Sequence, residues 1–241
     1  MAKSISLITV YNNRQLVEEM KKSAELQSGV EIDYVLLDNQ SRRYKSAAEA
    51  LNDGASKAKG DVFVFLHQDI EFLASNVLEY IYDYANEHKT VLFGAAGVKQ
   101  REKIGADSTL LSAMYAGPDK HKYDLLSQPT AAFTLDECLI ACHSSCMAKI
   151  AFDEKTCDGW HLYGADLCLQ AQAFAEMTVQ VVPLDCWHKS NGCADKSYFE
   201  CQSRLAKKYR GYYKTVNTTN GYSYTNPIKR VIQNLYRKIR Y

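Results

Sequence analysis

The sequence predicts an α/β fold: a single domain on a mostly parallel central sheet flanked by helices, plus a basic amphipathic C-terminal helix. Three observations carry this. Between Ser4 and Gly97, short apolar runs alternate with segments of helical periodicity, which implies right-handed β-α-β units and a parallel sheet. Runs such as DVFVFLH (61–67) are almost continuously apolar, as in strands covered on both faces. From Arg204 to Tyr241 there are ten basic residues and no acidic one, although the formal net charge is only +1. A body of net charge −9 therefore carries a basic tail, and such asymmetry points to an anionic surface or partner.

Residues 4–11 (SISLITVY) read as the first strand, and Leu16, Met20 and Ala24 set a helical period over 13–26. A second strand follows at 31–37, a small-residue helix at 46–58 and a third strand at 61–67. The segment 75–87 is a helix with Val77, Leu78, Ile81 and Ala85 inward, and 91–97 a fourth strand. The rhythm then breaks. Residues 99–130 mix charge, Gly and Pro without a period and read as irregular structure or a flap. Regular patterns resume as strand 133–142, short helix 144–150, helix 164–175, strand 178–185 and helix 195–209. Residues 211–226 read as a linker. Pro227, favourable at a first helical position, opens a helix with Ile228, Val231, Ile232, Leu235 and Ile239 on one stripe and Lys229, Arg230, Arg237, Lys238 and Arg240 elsewhere. The chain thus divides into a domain over 1–210 and a linker and tail over 211–241.

The 241 residues are 46% hydrophobic and 24% charged, which excludes wholesale disorder. No apolar run approaches the ~20 residues of a membrane span, and the N-terminus lacks a signal-peptide pattern, so a cytoplasmic protein is expected. All eight cysteines lie between Cys138 and Cys201 without a C-x-x-C pair. They read as reduced, buried, small apolar residues rather than as zinc ligands. The absence of G-x-G-x-x-G after the first strand, and of a P-loop, counts against a dinucleotide enzyme or an ATPase. An acidic body with no nucleic-acid module excludes nucleic acid as the main partner.

Open α/β sheets bind ligands at the carboxyl ends of their strands. Those ends carry Thr9, Tyr11 and Asn12, then Asp38-Asn39-Gln40-Ser41, then His67-Gln68-Asp69. Asp69 can hold Mg²⁺ or Mn²⁺ when phosphate oxygens complete the shell, or can cap a turn. Asp38 can accept from a base or ribose, or make an Asx turn.

Six segments in order, ITVYNN, VLLDNQS, ALNDGASKAKGDVFVFLHQD, LDECLIACHSSCMAKIAFDE, HLYGADLCLQA and VPLDCWHKSNG, resemble the family 2 nucleotide-sugar glycosyltransferases, which have the GT-A fold. The resemblance runs from about Ser4 to about Arg210. It implies an inverting transfer of sugar from a nucleoside-diphosphate sugar to a saccharide acceptor, and taken with the basic tail it points to a lipid-linked acceptor in bacterial surface-polysaccharide synthesis. It places Thr9, Tyr11 and Asp38 at the nucleobase and ribose, and Asn52 with Lys45 or Arg43 at the sugar-diphosphate. Asp69 and His188 would hold a divalent metal, Mn²⁺ or Mg²⁺, and Asp166 would be the general base. The metal would neutralise the leaving diphosphate, and the base would take the acceptor proton.

The sequence departs from the family pattern at two places. The D-x-D position reads His67-Gln68-Asp69, which leaves His67, and Gln68 beside it, for donor contact. The family's Glu-Asp with a later Asp reads Tyr163-Gly164-Ala165-Asp166, with Asp166 at the later Asp, so Asp158 is the other candidate base. Trp160 and His161 would form an acceptor platform. A non-catalytic nucleotide-sugar or saccharide binding module is the competing class. For the tail, two occupants stay open: an anionic membrane surface, with the protein peripheral on the inner face, or protein, either this domain or a second copy in a homodimer.

Overall fold

Strand β1 (Ser4–Tyr11) sends Ile5 and Leu7 to one side of the sheet and Ile8 to the other, and all three are fully buried. The computed structural model describes residues 2–100, 110–122, 126–192 and 194–240. After β1 come α1 (Arg14–Glu25), β2 (Glu31–Asp38), α2 (Ala47–Lys57), β3 (Val62–Leu66), β4 (Ile70–Phe72), α3 (Val77–Glu87), β5 (Val91–Gly94) and β6 (Ala96–Val98). Short strands follow: β7 (Leu110–Ser112), β8 (Tyr115–Ala116), β9 (His121–Lys122), β10 (Thr130–Ala131) and β11 (Thr134–Leu135). Then come β12 (Leu139–His143), a 3-10 turn, α4 (Tyr163–Phe174), β13 (Thr178–Val181), β14 (Cys186–His188) and α5 (Lys196–Lys208). The chain ends in β15 (Thr215–Thr218), β16 (Gly221–Tyr224) and α6 (Pro227–Arg240).

The main sheet has the order β10-β13-β5-β12-β3-β1-β2. β1, β2, β3, β5 and β13 run one way, and β10 and β12 run against them. α1 and α3 cover one face, where Val17, Met20, Leu78 and Ile81 meet Leu7, Val62 and Val64. α2, α4 and α5 cover the other, where Leu51, Leu167 and Leu205 meet Ile8, Phe63 and Phe65. Double coverage explains why β3 reads VFVFL with no polar alternation.

Four expectations change in detail. The run 91–97 is two strands, because Gly94 and Gly97 press against the Leu139 and Thr134 carbonyls so closely that a Cβ would lie 2.3 and 2.4 Å from them. β5 stays in the main sheet while β6 joins β7 and β11. The run 133–142 likewise splits into β11 and β12. The described part of 99–130 is not irregular throughout, since it holds β7, β8 and β9; residues 101–109 and 123–125 lie outside the described residues. Residues 211–226 are not a linker: β15 and β16 form a hairpin buried against the domain, with Thr134 Oγ1 donating to Asn217 O at 2.8 Å. Its residues are mostly polar, which hid it. α5 ties it down through one buried hydroxyl, where Gln202 Nε2 donates to Thr218 Oγ1 at 2.8 Å and Tyr198 OH to the same oxygen at 2.6 Å.

The seven described cysteines are free and buried; Cys193 lies outside the described residues. α6 forms as its period predicts, but faces opposite to an ordinary surface helix. Its polar side meets the domain: Arg230 Nη1 donates to Thr225 O at 3.0 Å, Gln233 Nε2 to Tyr222 O at 2.9 Å and Arg237 Nη2 to Gln202 Oε1 at 2.9 Å. Ile228, Val231, Ile232 and Leu235 face outward, 51–72% exposed. The side chains of Lys238, Ile239 and Arg240 lie outside what is described. Among the described residues no helix is long and apolar enough to cross a membrane.

Candidate active site

β4 and β14 pair antiparallel with His188 opposite Ile70, and Lys189 N donates to Asp69 O at 3.1 Å. That ladder sets the imidazole of His188 beside the carboxylate of Asp69, with Nε2 3.4 Å from Oδ1. His67 ends β3 on the same edge, with Nδ1 3.3 Å from His188 Nε2 and Nε2 3.0 Å from the Tyr163 hydroxyl at the start of α4. One ligand atom from each of His67, Asp69 and His188 lies within 4.8 Å of the others.

The protonation chemistry suits a cation. Burial, with the His188 charge, pushes His67 down to about 4, so its imidazole is neutral and has a lone pair to give. Burial pushes the Asp69 carboxyl up, but the His188 hydrogen bond and charge, with help from Ser190 and His67, more than offset it and hold the group below the usual carboxylate range. Two imidazoles and one carboxylate are a usual set for a divalent first-row metal.

The cluster opens into a cleft of about 1330 Å³ at the carboxyl ends of β1, β2 and β3. Among the described residues, Arg14, Arg42 and Lys45 line it against a single acidic one, Asp69, so this lining is cationic. Gln68 closes its floor: Oε1 accepts from the Asn12 and Asn13 N–H groups at 3.1 and 2.9 Å, and Nε2 donates to Asn12 Oδ1 at 2.9 Å. Asn13 in turn caps α1. Two residues beside the cleft hold the left-handed backbone that non-glycine residues avoid, Arg42 at φ 57° and Leu162, the N-cap of α4, at φ 64°.

Tyr11, Lys45, His67, Gln68, Asp69 and Trp160 line this cleft as expected residues do, and His188 joins them through the cluster. Asp38 and Arg43 line a smaller neighbouring hollow instead. Asp38 makes the Asx turn, accepting from Gln40 N at 2.8 Å, and that bond lowers its pKa. Arg43 stacks over Tyr44, 5.0 Å from the ring.

Five further expected residues do not face the cleft. Thr9 is fully buried, so it cannot touch a base. Asn52 is consumed as a tie between α2 and the 152–154 loop: Nδ2 donates to Phe152 O at 2.9 Å and to Glu154 Oε1 at 2.8 Å, and Oδ1 accepts from Phe152 N. His161 turns toward α5, with Nε2 3.5 Å from Asp195 Oδ1. Asp158 is ion-paired with Arg204. Asp166 is fully buried, accepting from Lys208 Nζ at 2.7 Å, Tyr209 OH at 2.8 Å and Gln170 Nε2 at 2.7 Å. It is unavailable to a hydroxyl in the cleft, because the fold spends it on joining α4 to α5. Arg14, Arg42 and Tyr163 line the cleft without having been singled out in the sequence. Arg14 lies two residues past Asn12 and Arg42 one past Ser41, so the strand-edge rule extended by two residues would have found both.

A family model described as "Glycosyltransferase like family" matches residues 6–210. The "ATP synthase subunits region ORF 6" protein of Fuscovulum blasticum is 25% identical over 169 residues, covering 65% of this chain and 63% of that one. Among solved structures, the mannosyltransferase PcManGT from Pyrobaculum calidifontis, in complex with GDP-Man and Mn²⁺, superposes with a TM-score of 0.52 at 14% identity, over 86% of this chain and 62% of that one. S. aureus TarS 1–349 in complex with UDP-GlcNAc does so with a TM-score of 0.55 at 13% identity, over 87% and 67%. The chain thus spans less than two thirds of the length of both the curated relative and the mannosyltransferase. At such identities the solved structures establish the shared fold.

Proposed function

Since the chain belongs to the glycosyltransferase-like family and has the GT-A fold, we propose that it transfers a sugar from a nucleoside-diphosphate sugar to a saccharide hydroxyl, with inversion. The observation that carries this is the His67–Asp69–His188 cluster at the base of a cationic cleft. A nucleoside diphosphate is an elongated polyanion. Arg14, Arg42 and Lys45 offer it counter-charges, and Tyr11 and Trp160 offer aromatic faces for the base and a sugar ring. A divalent cation, Mn²⁺ or Mg²⁺, on His67, Asp69 and His188 would supply Lewis acidity to the diphosphate. Gln68 holds the turn after β1 in place, which fixes the cleft wall before a donor arrives.

Thermal shift with UDP, GDP, dTDP and CMP, each with and without Mn²⁺, tests the reading. A ligand that binds only the folded state raises the melting temperature by mass action. One nucleotide should do so strongly only with Mn²⁺. No metal-dependent shift with any of the four would overturn the donor site. Binding without release of nucleoside diphosphate from the corresponding sugar nucleotide would favour the non-catalytic binding module.

The acceptor in this reading is lipid-linked, and α6 is the part that meets the membrane. An apolar stripe turned away from its own domain remains in water unless something covers it. The stripe belongs to a segment with ten basic residues and no acidic one, which suits an anionic lipid surface better than a second copy of the same basic tail. The protein would then work peripherally on the inner face.

A further inference from the structure

An acceptor hydroxyl needs a base, and the two expected carboxylates are committed elsewhere, Asp166 to Lys208 and Asp158 to Arg204, while Asp153 shares Lys208. Asp136 accepts from the Cys138 N–H at 3.1 Å. One carboxyl on the same edge is held by backbone N–H groups, those of Gly164 and Ala165, rather than by a cation. Glu137 occupies the turn between β11 and β12 and is half-buried, and no cation among the described residues pairs with it.

Its position is set from two sides. The next residue, Cys138, accepts from the His67 N–H at 2.9 Å, which stitches this turn to the end of β3 beside the candidate metal cluster. On the other side the Glu137 side chain lies on the first turn of α4. A Cβ built on Gly164 would come within 2.9 Å of Glu137 Cγ and 2.5 Å of Ile140 Cδ1. Position 164 is therefore glycine because Ile140 and Glu137 together fill the space a side chain there would use. Gly164 follows Tyr163, whose hydroxyl is 3.0 Å from His67 Nε2 and whose ring lines the cleft. Glu137 thus reaches the first turn of α4 from the β11–β12 turn, beside the residue that follows Tyr163 of the cleft lining.

We propose that Glu137 is the general base of the transfer, an assignment that rests on the glycosyl-transfer reading above. In the step, the acceptor oxygen forms a bond to the anomeric carbon and its proton passes to Glu137. The bond from that carbon to the diphosphate oxygen breaks, and the diphosphate leaves with the electron pair. Burial, then the Asp136 charge, raise the Glu137 pKa well above the ordinary value, while the Ala165 and Gly164 N–H groups pull it back. A raised pKa makes a stronger proton acceptor, and it moves the acid limb of the rate upward in pH.

The test measures nucleoside diphosphate released from UDP- and GDP-sugars with a panel of saccharide acceptors, for wild type, Glu137→Gln and the double variant Glu137→Gly/Gly164→Asp. Glu137→Gln should lose roughly 10²–10⁴-fold in turnover while its nucleotide-dependent thermal shift persists. The acid limb seen in the wild type should vanish from its residual rate. The double variant returns a carboxyl to nearly the same space from α4 and should recover part of the loss. Turnover within a few-fold of wild type in Glu137→Gln overturns the assignment, as does a loss of turnover together with the nucleotide-dependent shift, which would mark Glu137 as a helix cap. No turnover by the wild type itself would remove the transfer reading, and Glu137's role with it.

Discussion

Lys208 places its ammonium 2.7 Å from the fully buried carboxylate of Asp166, joining α5 to α4, and the same nitrogen lies 2.8 Å from Asp153. Removing one partner of a buried pair leaves an uncompensated charge and costs about 3–5 kcal/mol. Lys208→Met should therefore lower the melting temperature markedly. At a temperature where the variant is folded, its nucleotide- and metal-dependent thermal shift should match wild type, because neither Lys208 nor Asp166 lines the cleft. An unchanged melting temperature would show that the pair does not hold the two helices together.

His67 gives the metal-free protein a pH dependence whose sign can be worked out. Its folded pKa is about 4, below the ordinary 6.5, because burial and the His188 charge disfavour the imidazolium. Between those values the unfolded chain binds a proton that the folded one does not, so stability rises with pH across the window. The contribution is complete above about 6.5 and is lost as pH falls toward about 4. Urea unfolding in EDTA at pH 7.5, 6 and 5 should show that loss in wild type and a shallower one in His67→Gln. Equal slopes would mean that His67 is not held neutral by the fold.

Gly60 shows how a motif residue acquires a physical reason. A Cβ there would lie 2.5 Å from Ser6 N and 2.7 Å from the Ile5 carbonyl carbon, both backbone atoms of the central strand. Its own N–H donates to Ser6 Oγ at 2.8 Å. Gly60→Ala should destabilise by about 1–3 kcal/mol, the usual range for overpacking, without altering nucleotide binding per folded molecule. A variant as stable as wild type in urea would mean that β1 can yield there.

What could be read from the sequence was the set of elements and the edge at which their strands end. His67, Gln68 and Asp69 follow an uninterrupted apolar strand, so their place at the cleft was legible from polarity and the strand-end rule alone. What could not be read was which distant neighbour claims a polar side chain. Asn52 looks like a ligand residue until Phe152, 100 positions away, takes both of its amide atoms. Asp166 looks like a base until Lys208, 42 positions away, takes its carboxylate. Glu137 was passed over for the converse reason: it sits inside an apolar strand motif, and the glycine that makes room for it is 27 positions later.

The outward stripe of α6 makes the membrane reading separable from folding. Arg230, Gln233 and Arg237 hold the helix to the domain through Thr225, Tyr222 and Gln202, so the docking contacts do not involve Ile232 or Leu235. Both apolar residues are more than half exposed. The double variant Ile232→Glu/Leu235→Glu should therefore keep its melting temperature within about 2 °C, as surface substitutions usually stay within about 0.5 kcal/mol. The same change puts two charges on the face meant to enter lipid, and cosedimentation with vesicles containing phosphatidylglycerol should fall sharply. Sedimentation should also weaken at high salt for the wild type, because the basic residues contribute through a screened field. If wild type fails to sediment with anionic vesicles but runs as a dimer that the double variant dissociates, the stripe is a contact between two copies and the membrane assignment is wrong.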